Sequence, residues 1–404
     1  MRSSSLLAAL AVAAAGCGSH TAGAPFQVVA GDNVLAVSID GSGCPSSAYL
    51  NEPCVSAKIC VPRTANCQTV GGLLLDTGSY GLRVFKEALS GSLLAALPST
   101  PAPGGGTLAE CVQYADLTAD WGPVVGADVV LANEPPVTVP IQIIDASFAS
   151  TSACPGAEVG PTAQNPTPFN GILGVGVFVQ DCSNVTCPAA ANMYFSWNGT
   201  SPTAVAVDAP FQVQNPVGLL PLDNNGIIVV LPPVPSGGAR SVDGAVVLGI
   251  GTRANNQPTN ASAIALDNQG EFTTTLGGTP LVHSFADTGS NGLFFDGPTP
   301  IAQCTSQNAQ GWYCPASTLS FNATISASAG FPGNRLGAPF QVANVETLMA
   351  SGNGVFSNVA GTGVQGGGFD WGLPFFLGRT VYLGIAGRTT AFSNGSGNGP
   401  ILAY

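Results

Sequence analysis

Charged residues are scarce. Only 8% of the 404 residues are Asp, Glu, Lys or Arg, and ten basic residues face 22 acidic ones. Such a chain lacks the clustered Lys and Arg that a phosphate backbone or an anionic lipid surface demands, so no nucleic-acid partner is expected. Histidine is scarcer still, with two residues, His20 and His283. An imidazole-rich zinc site cannot be built from two histidines, and a Ser-His-Asp triad would have to use His283. No metal or cofactor is expected, and the chemistry falls to carboxylates. No apolar run reaches the roughly eighteen residues of a membrane-spanning helix. With 45% apolar residues, the chain also lacks the composition of a disordered protein.

Breakers are abundant. The 53 glycines and 32 prolines exclude long helices and coiled coils and favour many short strands, so a mainly β protein is expected. The length suits two or three domains, or one two-lobed unit. Met1-Arg2 followed by the apolar stretch from Leu6 to Ala15 reads as an export signal covering residues 1–17. Ala14-Ala15-Gly16-Cys17 resembles a bacterial lipobox, which would place a lipid on Cys17; cleavage without lipidation is the alternative. Gly18 after that cysteine leans towards outer-membrane sorting over a periplasmic or cell-surface location. Residues 18–25 then serve as a tether, and the membrane is touched only through the lipid.

Apart from Cys17, ten cysteines remain, an even set that implies disulfides in an exported chain. Cys182–Cys187 and Cys304–Cys314 are natural local pairs. Cys60–Cys67 and Cys111–Cys154 are plausible, which leaves Cys44–Cys54, although spacing does not fix the connectivity. Strands are expected at 33–39, 72–75, 127–131 and 137–144. Helices are expected over 86–97, weakened by Gly91, and over 345–350. Residues 179–210, rich in Ala, Pro, Ser, Thr and Asn, read as an inserted surface region.

The chain echoes itself. Leu73-Leu74-Leu75-Asp76-Thr77-Gly78-Ser79-Tyr80-Gly81-Leu82 returns as Phe285-Ala286-Asp287-Thr288-Gly289-Ser290-Asn291-Gly292-Leu293. One Asp-Thr-Gly is commonly a turn. Two long matched copies, each led by an apolar segment, imply two similar lobes that each present an Asp at the end of a strand. His283 reads as a surface or strand histidine, and Asp116 and Asp120 are expected to be solvated.

These motifs resemble the signature of the bilobal, pepsin-like aspartic proteases. Phe169-Asn170-Gly171-Ile172-Leu173-Gly174, Gly244 to Gly251 and Trp371 to Arg379 resemble further family segments in the same order. The resemblance implies a central cleft between an N-terminal β lobe at 26–251, carrying the insertion near 179–210, and a C-terminal β lobe at 252–404. It implies that Asp76 and Asp287 share one proton and activate a water. Thr77 and Thr288 would cross-bond the lobes, Gly78 and Gly289 would bring amides to the carboxylates, and Ser79 and Ser290 would donate to them. Tyr114 is the best match for the tyrosine of the flap over the cleft, with Trp121 as its rival. Three departures stand out: Pro374 where a glycine belongs, no glycines in the flap, and no basic pro-segment. The whole pattern also resembles a bacterial domain-of-unknown-function family of exported proteins.

Three functions follow. The first is an exported aspartic endopeptidase, a monomer binding an extended peptide or protein substrate. The second is a catalytically silent scaffold that binds peptides, proteins or glycans at the envelope. The third, a structural lipoprotein with a vestigial cleft, is opposed by the two intact motifs, since structure alone needs no paired acids.

Overall fold

Alternating apolar side chains curl the first part of the chain into a closed barrel. The computed structural model describes residues 26–404 except 41–42, 46–48, 116, 158–167, 183–185, 332, 364–365 and 393–399. The expected export signal, Cys17, the tether and Asp116 lie outside the described residues. Strands Pro53–Cys60, Cys67–Asp76, Gly171–Val175, Tyr80–Phe85, Val137–Ile144 and Ala119–Val130 pair in that order, and 58–60 pairs back on 128–130 to close the ring. Leu73 and Leu75, Leu82 and Val84, and Ile141 and Ile143 are buried in one core, because a period of two sends alternate side chains to one face. Each such side chain contributes about 1.5–3 kcal/mol by leaving water.

A second sheet of seven strands orders Arg335–Val342, Leu319–Ala327, Phe272–Leu276, Thr279–Ala286, Phe369–Trp371, Leu293–Phe295 and Ala360–Gly361. Its centre is aromatic: the Phe369 ring stacks on Phe295 at 4.6 Å and on Trp371 at 4.0 Å. Strands Val34–Ile39, Val242–Leu248, Gly226–Val230, Thr380–Gly384, Ile401–Ala403 and Ala263–Ala265 extend the first sheet. Residues on both sides of position 251 therefore share one sheet. The protein is mainly β, and among the described residues no helix is long and apolar enough to cross a membrane.

Five disulfides form, Cys44–Cys54, Cys60–Cys67, Cys111–Cys154, Cys182–Cys187 and Cys304–Cys314. The helix expected over 86–97 is shorter. A 3-10 turn at Lys86–Ala88 gives way to a single α turn at Gly91–Leu94, restarted by Ser90, whose hydroxyl accepts from the Leu93 N–H. Within 179–210, strand Tyr194–Trp197 pairs with Thr107–Gln113, and Tyr194, Phe195 and Val207 are buried. The segment is part of the sheet there, not merely an addition to the surface.

One buried ionic cluster ties this segment to the barrel. Arg83 is fully buried and bonds Glu110 at 2.8 Å, Asp181 at 2.7 Å and the Tyr80 carbonyl at 2.7 Å. Glu110 lies in Thr107–Gln113, and the Tyr194 hydroxyl donates to Asp181 at 2.6 Å. Removing the guanidinium strands two carboxyls in a dry interior. Arg83→Met is expected to lower stability by about 3–5 kcal/mol, measured by denaturant unfolding of the oxidised chain; an unchanged midpoint refutes it.

Candidate active site

The echoed sequences build the same local topology twice. Cys67–Asp76 runs parallel to Gly171–Val175, which is antiparallel to Tyr80–Phe85. Thr279–Ala286 likewise runs parallel to Phe369–Trp371, which is antiparallel to Leu293–Phe295. Each Asp-Thr-Gly-Ser loop thus leaves the end of one strand and re-enters on the far side of a shared neighbour. The register also corrects the position of Pro374. Asp76 pairs with Gly174, while Ala286 pairs with Trp371 and the Asp287 N–H donates to the Trp371 carbonyl. Gly372 is therefore the counterpart of Gly174, and Pro374 lies beyond it in the short helix Leu373–Phe376. A Cβ on Gly372 would come within 2.0 Å of the Gly292 carbonyl oxygen, so the crossing itself carries the glycine.

The two loops lock reciprocally. The Thr77 N–H donates to Thr288 Oγ1 at 3.2 Å, and the Thr288 N–H donates to Thr77 Oγ1 at 2.9 Å. Each hydroxyl then donates across to the strand before the other aspartate, Thr77 to the Ala286 carbonyl at 2.9 Å and Thr288 to the Leu75 carbonyl at 2.6 Å. These threonines are 211 positions apart, yet both are buried.

Above this lattice the carboxyls meet. The Gly78 N–H points at Asp76 Oδ1 at 2.7 Å and at Asp287 Oδ1 at 3.2 Å, and the Gly289 N–H donates to Asp287 Oδ1 at 2.7 Å. Neither glycine tolerates a side chain: a Cβ at 78 would lie 2.7 Å from Asp287 Cγ, and one at 289 would lie 2.9 Å from Asp76 Cγ. Ser79 donates to Asp76 Oδ2 at 2.5 Å and Ser290 to Asp287 Oδ2 at 2.9 Å. Burial first, then the Asp76 charge and then Asp370, hold the Asp287 carboxyl well above the usual carboxylate range. Two carboxyls this close resist double ionisation, so the pair retains a proton where isolated carboxyls lose theirs.

The two hairpin residues differ in their settings. Tyr114 follows strand Thr107–Gln113, and its hydroxyl donates to Asp120 Oδ2 at 2.8 Å. Asp120 is buried, not solvated. Trp121 is a correction: it is fully buried against Phe195 at 5.6 Å, sealed in by strand Tyr194–Trp197, and has no open face for a substrate. His283 is exposed and pairs with Glu271 at 2.7 Å, which raises its pKa.

Sequence reasoning missed several neighbours. A cavity of about 200 Å³ beside Gly78 is lined by Tyr80, Val177, Glu271, Phe272 and Phe285. Tyr49 donates to the Gly289 carbonyl at 3.3 Å, and Asn51 donates to the Asn291 carbonyl at 2.8 Å. The loop closed by Cys44–Cys54 therefore braces the second Asp loop. Within it, burial pushes Glu52 up to about 8, and just before it burial pushes Asp40, which accepts from the Asn51 N–H at 3.1 Å, up to about 7. Asp370 lies in Phe369–Trp371 and is 5% exposed. Burial pushes it up to about 8, with Asp76 adding to the rise and the Ser290 hydroxyl opposing it.

The chain belongs to the family described as Protein of unknown function (DUF3443), whose model matches residues 29–404. No curated protein matches the chain.

Proposed function

We propose that this chain is an exported aspartic endopeptidase with a pepsin-like, two-lobed architecture, in which Asp76 and Asp287 flank the scissile bond. The observation that carries this reading is the reciprocal threonine lattice, which brings two carboxyls from loops 211 positions apart onto the shared amide of Gly78. A purely structural pair of turns has no need to bury two acids against each other.

One carboxylate takes a proton from a water as its oxygen attacks the peptide carbonyl. The other, protonated, donates to the carbonyl oxygen, and the tetrahedral adduct forms without a covalent enzyme intermediate. Collapse returns a proton to the leaving amine and breaks the C–N bond. Ser79 and Ser290 fix the outer oxygens, so the inner ones face the water. The substrate lies extended in the cleft between the lobes and gains main-chain hydrogen bonds as an added strand does. The cavity beside Gly78 is sized for a side chain. The five disulfides support an exported location, with Cys17 as the site of a lipid anchor at the outer membrane or of simple release into the periplasm or to the cell surface. The active species is a monomer, since one chain supplies both acids.

The test is cleavage of a reduced, unfolded protein by the oxidised chain across acidic to neutral pH, with peptide products identified by mass spectrometry. Cleavage with an acidic optimum is expected. A folded chain that binds peptides at acidic pH and never cuts them refutes the enzyme reading and leaves the peptide-binding envelope scaffold.

A further inference from the structure

The two halves of the site are not chemically equivalent. Phe369–Trp371 stands to the second Asp loop as Gly171–Val175 stands to the first. With Gly372 opposite Gly174, Asp370 takes the place that Ile172 holds in the first half. An apolar position in one half is a buried acid in the other.

That acid competes for a hydroxyl that already has a partner. Ser290 donates to Asp287 Oδ2 at 2.9 Å and also interacts with the Asp370 carboxyl. A serine has one proton to donate. While it goes to Asp287, Asp370 can bond Ser290 Oγ only by donating a proton of its own. Asp370 Oδ1 is buried without a hydrogen-bond partner, which a neutral acid tolerates far better than a carboxylate does. The flanking residues Phe369 and Trp371 are fully buried rings. The titratable group acting on Asp370 is Asp76, and Asp370 in turn acts on Asp287. Its other strand neighbour, Leu293–Phe295, carries no ionisable side chain.

We infer that Asp370 is a positioning residue, a neutral acid whose O–H donates to Ser290 Oγ while the Ser290 O–H donates to Asp287. The chain of donors runs one way, from Asp370 to the reacting pair, and sets Asp287 apart from Asp76, whose serine has Ile172 in the corresponding place. No bond is made or broken; the same protons stay on the same oxygens until Asp370 ionises. Its charge then claims the Ser290 proton, and Asp287 loses its donor.

The inference rests on the proposed reading of Asp76 and Asp287 only for its rate readout, so two independent measurements test it. The first is infrared difference spectroscopy of the full oxidised chain at about pH 6, below the value of about 8 to which Asp370 is pushed. Subtracting Asp370→Asn from wild type is expected to leave the C=O band of one neutral carboxylic acid. In Ser290→Ala that band should move to higher frequency as its hydrogen-bond partner disappears. Absence of the band, or its indifference to Ser290→Ala, overturns the proton chain whether or not the protein cleaves anything.

The second is the pH profile of cleavage. Asp370→Leu, which matches the apolar first half, is expected to lower kcat about tenfold and to move the alkaline limb by about half a pH unit or more. Asp370→Asn supplies an amide N–H to the same hydroxyl and is expected to restore the wild-type limb and most of the rate. A Leu variant with the wild-type profile, or an Asn variant that fails like Leu, refutes the role. Thermal unfolding checks that both variants fold. Lack of cleavage by the wild type refutes the endopeptidase reading and leaves the infrared result to decide the proton chain.

Discussion

Asparagine at position 287 is expected to abolish cleavage and to stabilise the fold. The rate should fall about a thousandfold or more, because a neutral amide can neither accept the water proton nor hand one to the carbonyl oxygen. Asp76→Asn is expected to lose the rate equally, since each acid needs the other. The structure survives the change at 287. Asparagine keeps an oxygen for the Gly289 N–H, and Ser290 can turn its lone pair to the new amide. What disappears is the cost of a buried acid beside Asp76 and Asp370, the influences that raise Asp287. At neutral pH the melting temperature of Asp287→Asn should therefore exceed that of wild type, a gain in stability bought by loss of function. Peptide mass spectrometry and calorimetry on the same samples check both signs. Residual cleavage within tenfold of wild type sinks the dyad, and a lower melting temperature sinks the repulsion.

The wild-type fold is expected to be more stable at about pH 5 than at about pH 8. Asp40 is pushed to about 7, and Glu52 and Asp370 to about 8, while Glu110 and Asp287 are raised well above the ordinary range, each mainly by burial. In every case the folded chain holds a proton that the unfolded chain releases near pH 4. Between these limits the native state binds more protons than the unfolded one, so raising the pH favours unfolding. The contribution is complete below the unfolded values and is lost as pH rises through the folded ones. Asp145 and Glu346, whose values are lowered, run the other way and cap the stability in stronger acid. The sum is several kcal/mol, or a melting temperature higher by about 5 °C or more in acid. Calorimetry across this range decides; a flat or rising dependence on pH refutes the buried-acid account. Glu52 lies in the loop that braces the Asp287 loop, and Asp40 holds the Asn51 N–H of that loop, so hydrogen exchange at Asn291 should quicken in step.

Much of the site was legible because its chemistry sits in a repeated string. Asp76 and Asp287 are marked by identical neighbours, and the apolar residues before each copy announce the strands that end there. Val137–Ile144 was legible for the same reason, an alternating run with clear limits. Asp370 was not, because its meaning depends on register. Only the pairing of Phe369–Trp371 with Thr279–Ala286 reveals that Gly372, not Pro374, answers Gly174, and hence that an acid stands where the first half has Ile172. Trp121 misled for a different reason. Its burial is caused by Tyr194–Trp197, which reaches the hairpin from a segment whose composition suggests surface. Long-range pairing leaves no mark in local sequence, and neither did the loop of Tyr49 and Asn51 that meets the second Asp loop.

The threonine lattice also keeps time. For a chain that emerges N-terminus first, the barrel strands are all present once residue 175 has appeared, with Asp76 at the end of one of them. The Thr288 hydroxyl and the amide of Gly289 arrive more than a hundred residues later. Ile401–Ala403 must still be delivered before it can zip between Ala263–Ala265 and Thr380–Gly384. Before Thr288 arrives, the Thr77 amide has no Thr288 hydroxyl to meet, and the first Asp loop stands without its partner.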